Sequence, residues 1–130
     1  MSSLDRLIEA AHAVRERAHA PFSHFKVGAA LEDGSGRVFT GCNIENATYG
    51  LTICAERVAV FKAISEGAAR FKRIAVVADT RRLTPPCGAC RQILWEFCPE
   101  AELILANLGG EREVFSLEQI FPRPFDATYL

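Results

Sequence analysis

The chain has no run of about 18 uninterrupted apolar residues, which excludes a hydrophobic transmembrane helix. It also lacks a strong charge of either sign. Fifteen Lys and Arg against 16 Asp and Glu leave a formal net charge of −1. A domain that grips a long polyanion carries a basic surplus or a basic stripe. The richest basic run, Arg70 to Arg73 with Arg81 and Arg82 further on, is interrupted by apolar residues and reads as solvated surface. Nucleic acid and membrane are therefore not expected partners. The segment Met1 to Ala20 lacks an apolar core of signal-peptide type, because Asp5, Arg6, Glu9, Arg15, Glu16 and Arg17 break it up. A cytoplasmic location is the expectation. Linkers, internal repeats and low-complexity stretches are absent, so residues 1–130 are expected to form a single domain.

What is present begins with apolar content. Hydrophobic residues make up 49% of the chain, enough for one core without disulfides. Leu4, Leu7, Ile8, Ala11 and Val14 recur at helical spacing and predict a helix from about Ser3 to His19, capped by Ser2 or Ser3 and ended by Pro21. Lys26 to Glu32 and Arg37 to Cys42 read as strands around the turn Asp33-Gly34-Ser35-Gly36. Asn43 to Thr52 is a polar loop, and Cys54 to Glu66 is a helix closed by Gly67. Arg73 to Ala78 is nearly all apolar, as in a strand buried on both faces of a parallel sheet. A loop over Thr80 to Pro86, a helix over Gly88 to Cys98, strands at Glu102 to Ala106 and Glu113 to Phe115, and a helical turn over Ser116 to Phe121 complete the chain. Alternating strands and helices predict an α/β fold: a three-layer α/β/α sandwich with a mixed sheet of about five strands.

Five cysteines in a cytosolic chain stay reduced, so they suggest metal or catalysis before disulfides. Three of them sit in two pieces, Cys54-Ala55-Glu56 and Pro86-Cys87-Gly88-Ala89-Cys90, each following a loop and opening a helix. Thiolates gain there from the helix dipole and from free backbone N–H groups. A bare Cys-x-x-Cys also serves redox pairs and structural zinc sites. A structural zinc is normally closed by four protein ligands, whereas a catalytic one keeps an open position. Cys54, Cys87 and Cys90 with a neighbouring carboxylate, Glu56, make the catalytic pattern. The two pieces together resemble the zinc signature of nucleobase deaminases, a His or Cys, one residue, a Glu, and Pro-Cys-x-x-Cys downstream. Three thiolates leave a Zn²⁺ site at a net charge of about −1, and Arg57 is placed to donate to one of the sulfurs. Cys42 and Cys98 read as small buried hydrophobes. His12 and His19 fall on the first helix, and His24 lies near the site loop with no evident role.

Beyond this signature the chain closely resembles the short-chain cytidine deaminases. The matching segments run from Pro21 to Ala30, from Gly41 to Tyr49 (Gly-Cys-Asn-Ile-Glu-Asn-Ala-Thr-Tyr), from Cys54 to Arg57 and from Pro86 to Gln92. The resemblance implies one zinc per chain and a homotetramer with shared active sites. It implies hydrolysis of cytidine and 2′-deoxycytidine to uridine and 2′-deoxyuridine with release of ammonia, as in pyrimidine salvage, with Glu56 moving the protons. Asn43 and Glu45 would hold the ribose 3′-hydroxyl, Phe25 would lie against the pyrimidine and Tyr49 would border the sugar. The Ala55 backbone would bind the base carbonyl, and Phe125 would reach into a neighbouring subunit's site. Phe22 stands where many members have tyrosine, and the tail after Phe125 is short and differs from the usual acidic ending. Four other functions compete: a deaminase of an antibiotic such as blasticidin S, a tRNA or single-strand DNA editor, which the slightly acidic chain disfavours, a non-catalytic zinc-stabilised interaction domain, and a thiol oxidoreductase using Cys87 and Cys90.

Overall fold

In the computed structural model, residues 2–130 are described. Five strands form one sheet in the order β2-β1-β3-β4-β5, where β1 is Val27–Asp33, β2 Val38–Cys42, β3 Phe71–Ala78, β4 Glu102–Asn107 and β5 Arg112–Ser116. Only β3 and β4 run parallel, and the other neighbours are antiparallel. The mixed sheet predicted from the alternation of elements is therefore present. The parallel pair needs a crossover, supplied by α3 (Gly88–Phe97).

Strand alternation divides the core into two. Ala29, Leu31, Ile74, Val76, Leu103 and Leu105 point to the face covered by α2 (Ala55–Ser65) and α3. Ala30, Ala75, Val77, Ile104 and Ala106 point to the opposite face, where Leu7 and Ala11 of α1 (Ser3–Arg15) cover them. Both faces of β3 and β4 are thus dry, which explains their unbroken apolar runs. The result is the three-layer sandwich.

Two glycines set the spacing between layers. A Cβ on Gly28 would lie 2.0 Å from the Ala11 carbonyl oxygen in α1. On the other face, a Cβ on Gly41 would meet the Ala59 nitrogen at 2.5 Å and the Ala55 carbonyl oxygen at 2.6 Å. Each helix therefore rests on bare strand backbone at these points.

The first helix is shorter than its periodicity predicts. It starts with Ser2 in a capping box with Asp5, as the sequence suggests, but stops at Arg15 rather than near His19. His19 leaves the helix to pair with the loop after β2: its N–H donates to the Asn43 carbonyl at 3.0 Å, and its carbonyl accepts from Glu45 N–H at 2.8 Å. Pairing to that loop competes with another helical turn, so the helix ends well before Pro21. The other elements fall within about two residues of their predicted limits.

Candidate active site

The start of β1, the end of β2 and the end of β3 lie at one end of the sheet, because Val27 pairs with Ala78 and Gly28 with Cys42. Helices α2 and α3 both begin over this end. Cys54 is the N-cap of α2 and Cys87 the N-cap of α3. Both cap residues have extended backbone, and neither side chain caps its own helix. Their sulfurs are consequently free to turn toward a shared point, beneath which Cys90, in the first turn of α3, is fully buried.

The Cys54 and Cys87 sulfurs are 3.8 Å apart, and all three sulfurs lie within 4.8 Å of one another. A tetrahedral zinc with bonds of about 2.3 Å requires sulfurs about 3.8 Å apart, so this triad fits the ion in both donor chemistry and spacing. No other His, Cys, Asp or Glu joins the group among the described residues. The thiols already behave as a set. Hydrogen bonds from Cys90, Arg57 and Cys87 lower the Cys54 pKa, while donation to Cys54 and burial raise that of Cys90. The Arg57 guanidinium donates to the Cys54 sulfur at 3.4 Å, the contact expected of it.

A cavity of about 190 Å³ adjoins the sulfurs, lined among others by Cys54, Cys87, Glu56, Ala55, Phe25 and Asn43. Glu56 is 4% exposed. Burial, reinforced by the neighbouring Cys54 charge, pushes its carboxyl up to about 7. At that value a carboxyl gains or loses a proton near neutrality, as an acid-base group must. Ala55 is the first residue of α2, so its N–H lies among the donors left free at a helix start.

The loop after β2 forms the mouth. Ile44 and Ile53 exchange backbone hydrogen bonds of 2.9 and 3.0 Å, closing the loop just before Cys54. At its root, the Asn43 amide accepts from Val27 N–H at 2.9 Å and donates to the Phe25 carbonyl at 2.7 Å, leaving its second N–H available. Glu45 takes the N–H groups of Phe22 and Ser23 on one oxygen, at 3.0 and 3.1 Å, and the Ser23 hydroxyl on the other. Donation from Ser23 and Phe22 holds its carboxyl below the usual range, and so ionised at neutral pH. A second cavity of about 380 Å³, lined by Phe22, Ser23, Glu45, Tyr49 and Thr52, lies outside the first and shares Thr52 with it.

The structure therefore gathers Phe25, Asn43, Glu45, Tyr49, Ala55 and Glu56 around the sulfurs or at the mouth. Phe125 is 58% exposed and lines neither cavity of its own chain. Ser23, Thr52, Val76 and Thr84 were missed in sequence reasoning. Ser23 alone had a signal there, its place in a matched segment. Cys98 behaves as a core residue, with burial pushing its thiol up to about 12.

Comparison with known proteins agrees with this geometry. Residues 1–106 match the family model for the cytidine and deoxycytidylate deaminase zinc-binding region. A cytidine deaminase of Halalkalibacterium halodurans is 52% identical over 122 residues, 93% of this chain and 92% of that one. One from Sporosarcina psychrophila is 46% identical over 123 residues, 94% of this chain and 90% of its own. The crystal structure of cytidine deaminase from Burkholderia pseudomallei superposes with a TM-score of 0.92 at 49% identity, covering 96% of this chain and all of that one. The matched region takes in all three sulfurs, the buried carboxyl and the loop at the mouth, and the chain belongs to the cytidine and deoxycytidylate deaminase family.

Proposed function

We propose that the chain, as one deaminase domain over residues 1–130, hydrolyses the exocyclic amine of cytidine and 2′-deoxycytidine. The observation that carries this reading is a single cavity lined at once by Cys54, Cys87, Glu56, Phe25 and Asn43. Zinc held by Cys54, Cys87 and Cys90 supplies a Lewis acid that makes water nucleophilic near neutral pH. Water adds at C4 of the base, and ammonia leaves. Glu56 takes a proton from the attacking water, passes it to N3 and later delivers a proton to the departing amine. One carboxyl serves as base and then acid, and a value of about 7 suits both tasks.

The remaining residues bind and orient. The free N–H at Ala55 offers a donor to the base carbonyl, and Phe25 packs on the ring. The spare Asn43 N–H and the ionised Glu45 present a donor beside an acceptor, the complement of a sugar hydroxyl. Tyr49, edge-on to Phe22 with centroids 6.0 Å apart, borders the sugar end. Arg57 withdraws charge from Cys54. The exposure of Phe125, outside its own chain's cavities, suits an aromatic that closes the pocket of a neighbouring subunit in a homotetramer. A cytoplasmic place in pyrimidine salvage completes the reading. The antibiotic deaminase reading is not favoured, because Asn43, Glu45 and Tyr49 match the nucleoside loop and the relatives at 52% and 46% identity are cytidine deaminases.

The test is direct. Zinc-loaded protein mixed with cytidine is expected to abolish the cytidine ultraviolet band and release one equivalent of ammonia. Protein that holds zinc yet leaves cytidine and deoxycytidine intact is instead a zinc-stabilised binding domain.

A further inference from the structure

Phe125 stands on a segment with little packing of its own. The short 3₁₀ turn that follows it, Ala127–Tyr129, buries no residue. Such a segment gains little from hydrophobic burial, so its position depends on polar ties. Those ties come from one helix, α3, which also carries two of the three sulfurs.

Arg91 makes the first tie. It donates from Nε to the Pro86 carbonyl at 2.8 Å and from a terminal nitrogen to the Ile120 carbonyl at 2.6 Å. This joins the turn before Cys87 to the start of the tail. Gln92 donates to the carbonyl of Phe125 itself at 2.8 Å. Trp95 donates its indole N–H to Asp126 Oδ2 at 3.0 Å. The other carboxylate oxygen of Asp126 accepts from the Thr128 N–H at 3.0 Å and from the Thr128 hydroxyl. This folds the chain back so that the Phe125 and Tyr129 rings stack, with centroids 5.7 Å apart and planes at 12°.

Gln92 and Trp95 are three residues apart on one face of α3 and hold Phe125 from both sides, at its carbonyl and at the next side chain. Indole and carboxylate are both half-buried, and the bond is charge-assisted, stronger than a neutral pair. We infer that the Trp95–Asp126 bond is a latch that orients Phe125 for the neighbouring copy's nucleoside pocket, making Trp95 and Asp126 positioning residues for substrate binding. This rests on the shared-site reading above. The latch sets the direction in which the aromatic leaves its own subunit. Its geometric partner is the helix that fixes Cys87 and Cys90, so pocket floor and pocket cover are referenced to one rigid element in each copy.

Steady-state kinetics on cytidine with the zinc-loaded oligomer test this in four variants: Trp95→Phe, Asp126→Ala, the two combined, and Phe125→Ala. Trp95→Phe keeps an aromatic side chain but removes the indole N–H donor. Each latch variant is expected to raise KM about three- to tenfold, the factor carried by one net hydrogen bond, with kcat within about twofold. The double variant should lose no more than the worse single, since both remove the same bond. Zinc content, oligomer size and melting temperature should match the parent. A raised KM for Phe125→Ala with unchanged KM for both latch variants overturns the latch and leaves the shared site standing. An unchanged KM for Phe125→Ala removes the shared-site reading, and the latch with it. Equal falls in kcat and in melting temperature, or additive losses in the double variant, mark a merely structural contact and also overturn the inference. Should Trp95→Phe lose zinc or its oligomer, Asp126→Ala decides alone, because that side chain lies at the edge of the fold.

Discussion

A carboxyl that is 4% exposed costs free energy unless it stays neutral or meets a partner. Among the described residues no side chain donates to Glu56, its own backbone N–H being the one donor, and burial accordingly raises its pKa. Such a group serves a proton transfer better than it serves stability. Glu56→Gln is therefore expected to keep the fold and the zinc, and to lower kcat by at least about 10²-fold. Zinc content, a thermal melt and turnover on cytidine measured together check this. Near-normal turnover would assign the proton to another group. At this scale the sequence was legible wherever a residue type is chemically rare. Three cysteines and a glutamate at helix starts announce a metal site, and Arg57 beside them announces its partner. It was opaque where a residue acts by holding another. That Ser23 and two backbone N–H groups occupy Glu45, or that Asn43 spends much of its amide on Phe25 and Val27, depends on chain segments that meet only in the fold.

The elements depend on one another through the bare strand at Gly41. Helix α2 carries Cys54 at its start and Glu56 in its first turn, and its backbone lies where a Cβ at residue 41 would stand. Gly41→Ala is expected to destabilise the fold by about 1–3 kcal/mol and to weaken zinc affinity and turnover as α2 is displaced. Gly28→Ala makes the matching clash with α1 on the opposite face. It should lower the melting temperature comparably but spare the zinc affinity of the surviving folded protein. Denaturant melts paired with zinc titration separate the two, and identical zinc losses would show that the sheet passes the strain across. Strand and helix order was legible from the sequence pattern, since β3 and β4 hold the apolar runs Ile74 to Ala78 and Leu103 to Ala106 and the helices have clear starts. The end of α1 was not. Its apolar spacing runs on past Arg15, and what stops it is the backbone pairing of His19 with the loop after β2, a contact between residues far apart in the chain.

For the molecule as a whole, the proposed sharing of the pocket between subunits predicts complementation. Glu56→Gln subunits keep a sound Phe125, and Phe125→Ala subunits keep a sound Glu56. Dissociated, mixed and re-associated, the two should yield activity above the sum of the parents, because some sites receive both residues intact. Activity that never exceeds that sum, with hybrid oligomers confirmed, would place Phe125 in its own subunit's service. The sheet and its two helical layers were legible at this scale, whereas the exposure of Phe125 beyond its own cavities was not, since an aromatic after two prolines reads equally well as core. The spacing of the sulfurs along the chain also reaches into the protein's making. Cys54 and Cys87 are 33 positions apart, so at 5–20 residues per second the ribosome adds the first roughly two to seven seconds before the second. During that interval Cys87 and Cys90, which help lower the Cys54 pKa, do not yet exist. The nascent thiol then lacks two of the three hydrogen-bond donors that lower its pKa in the fold, Arg57 alone being present, and its fellow ligands arrive only with that second piece.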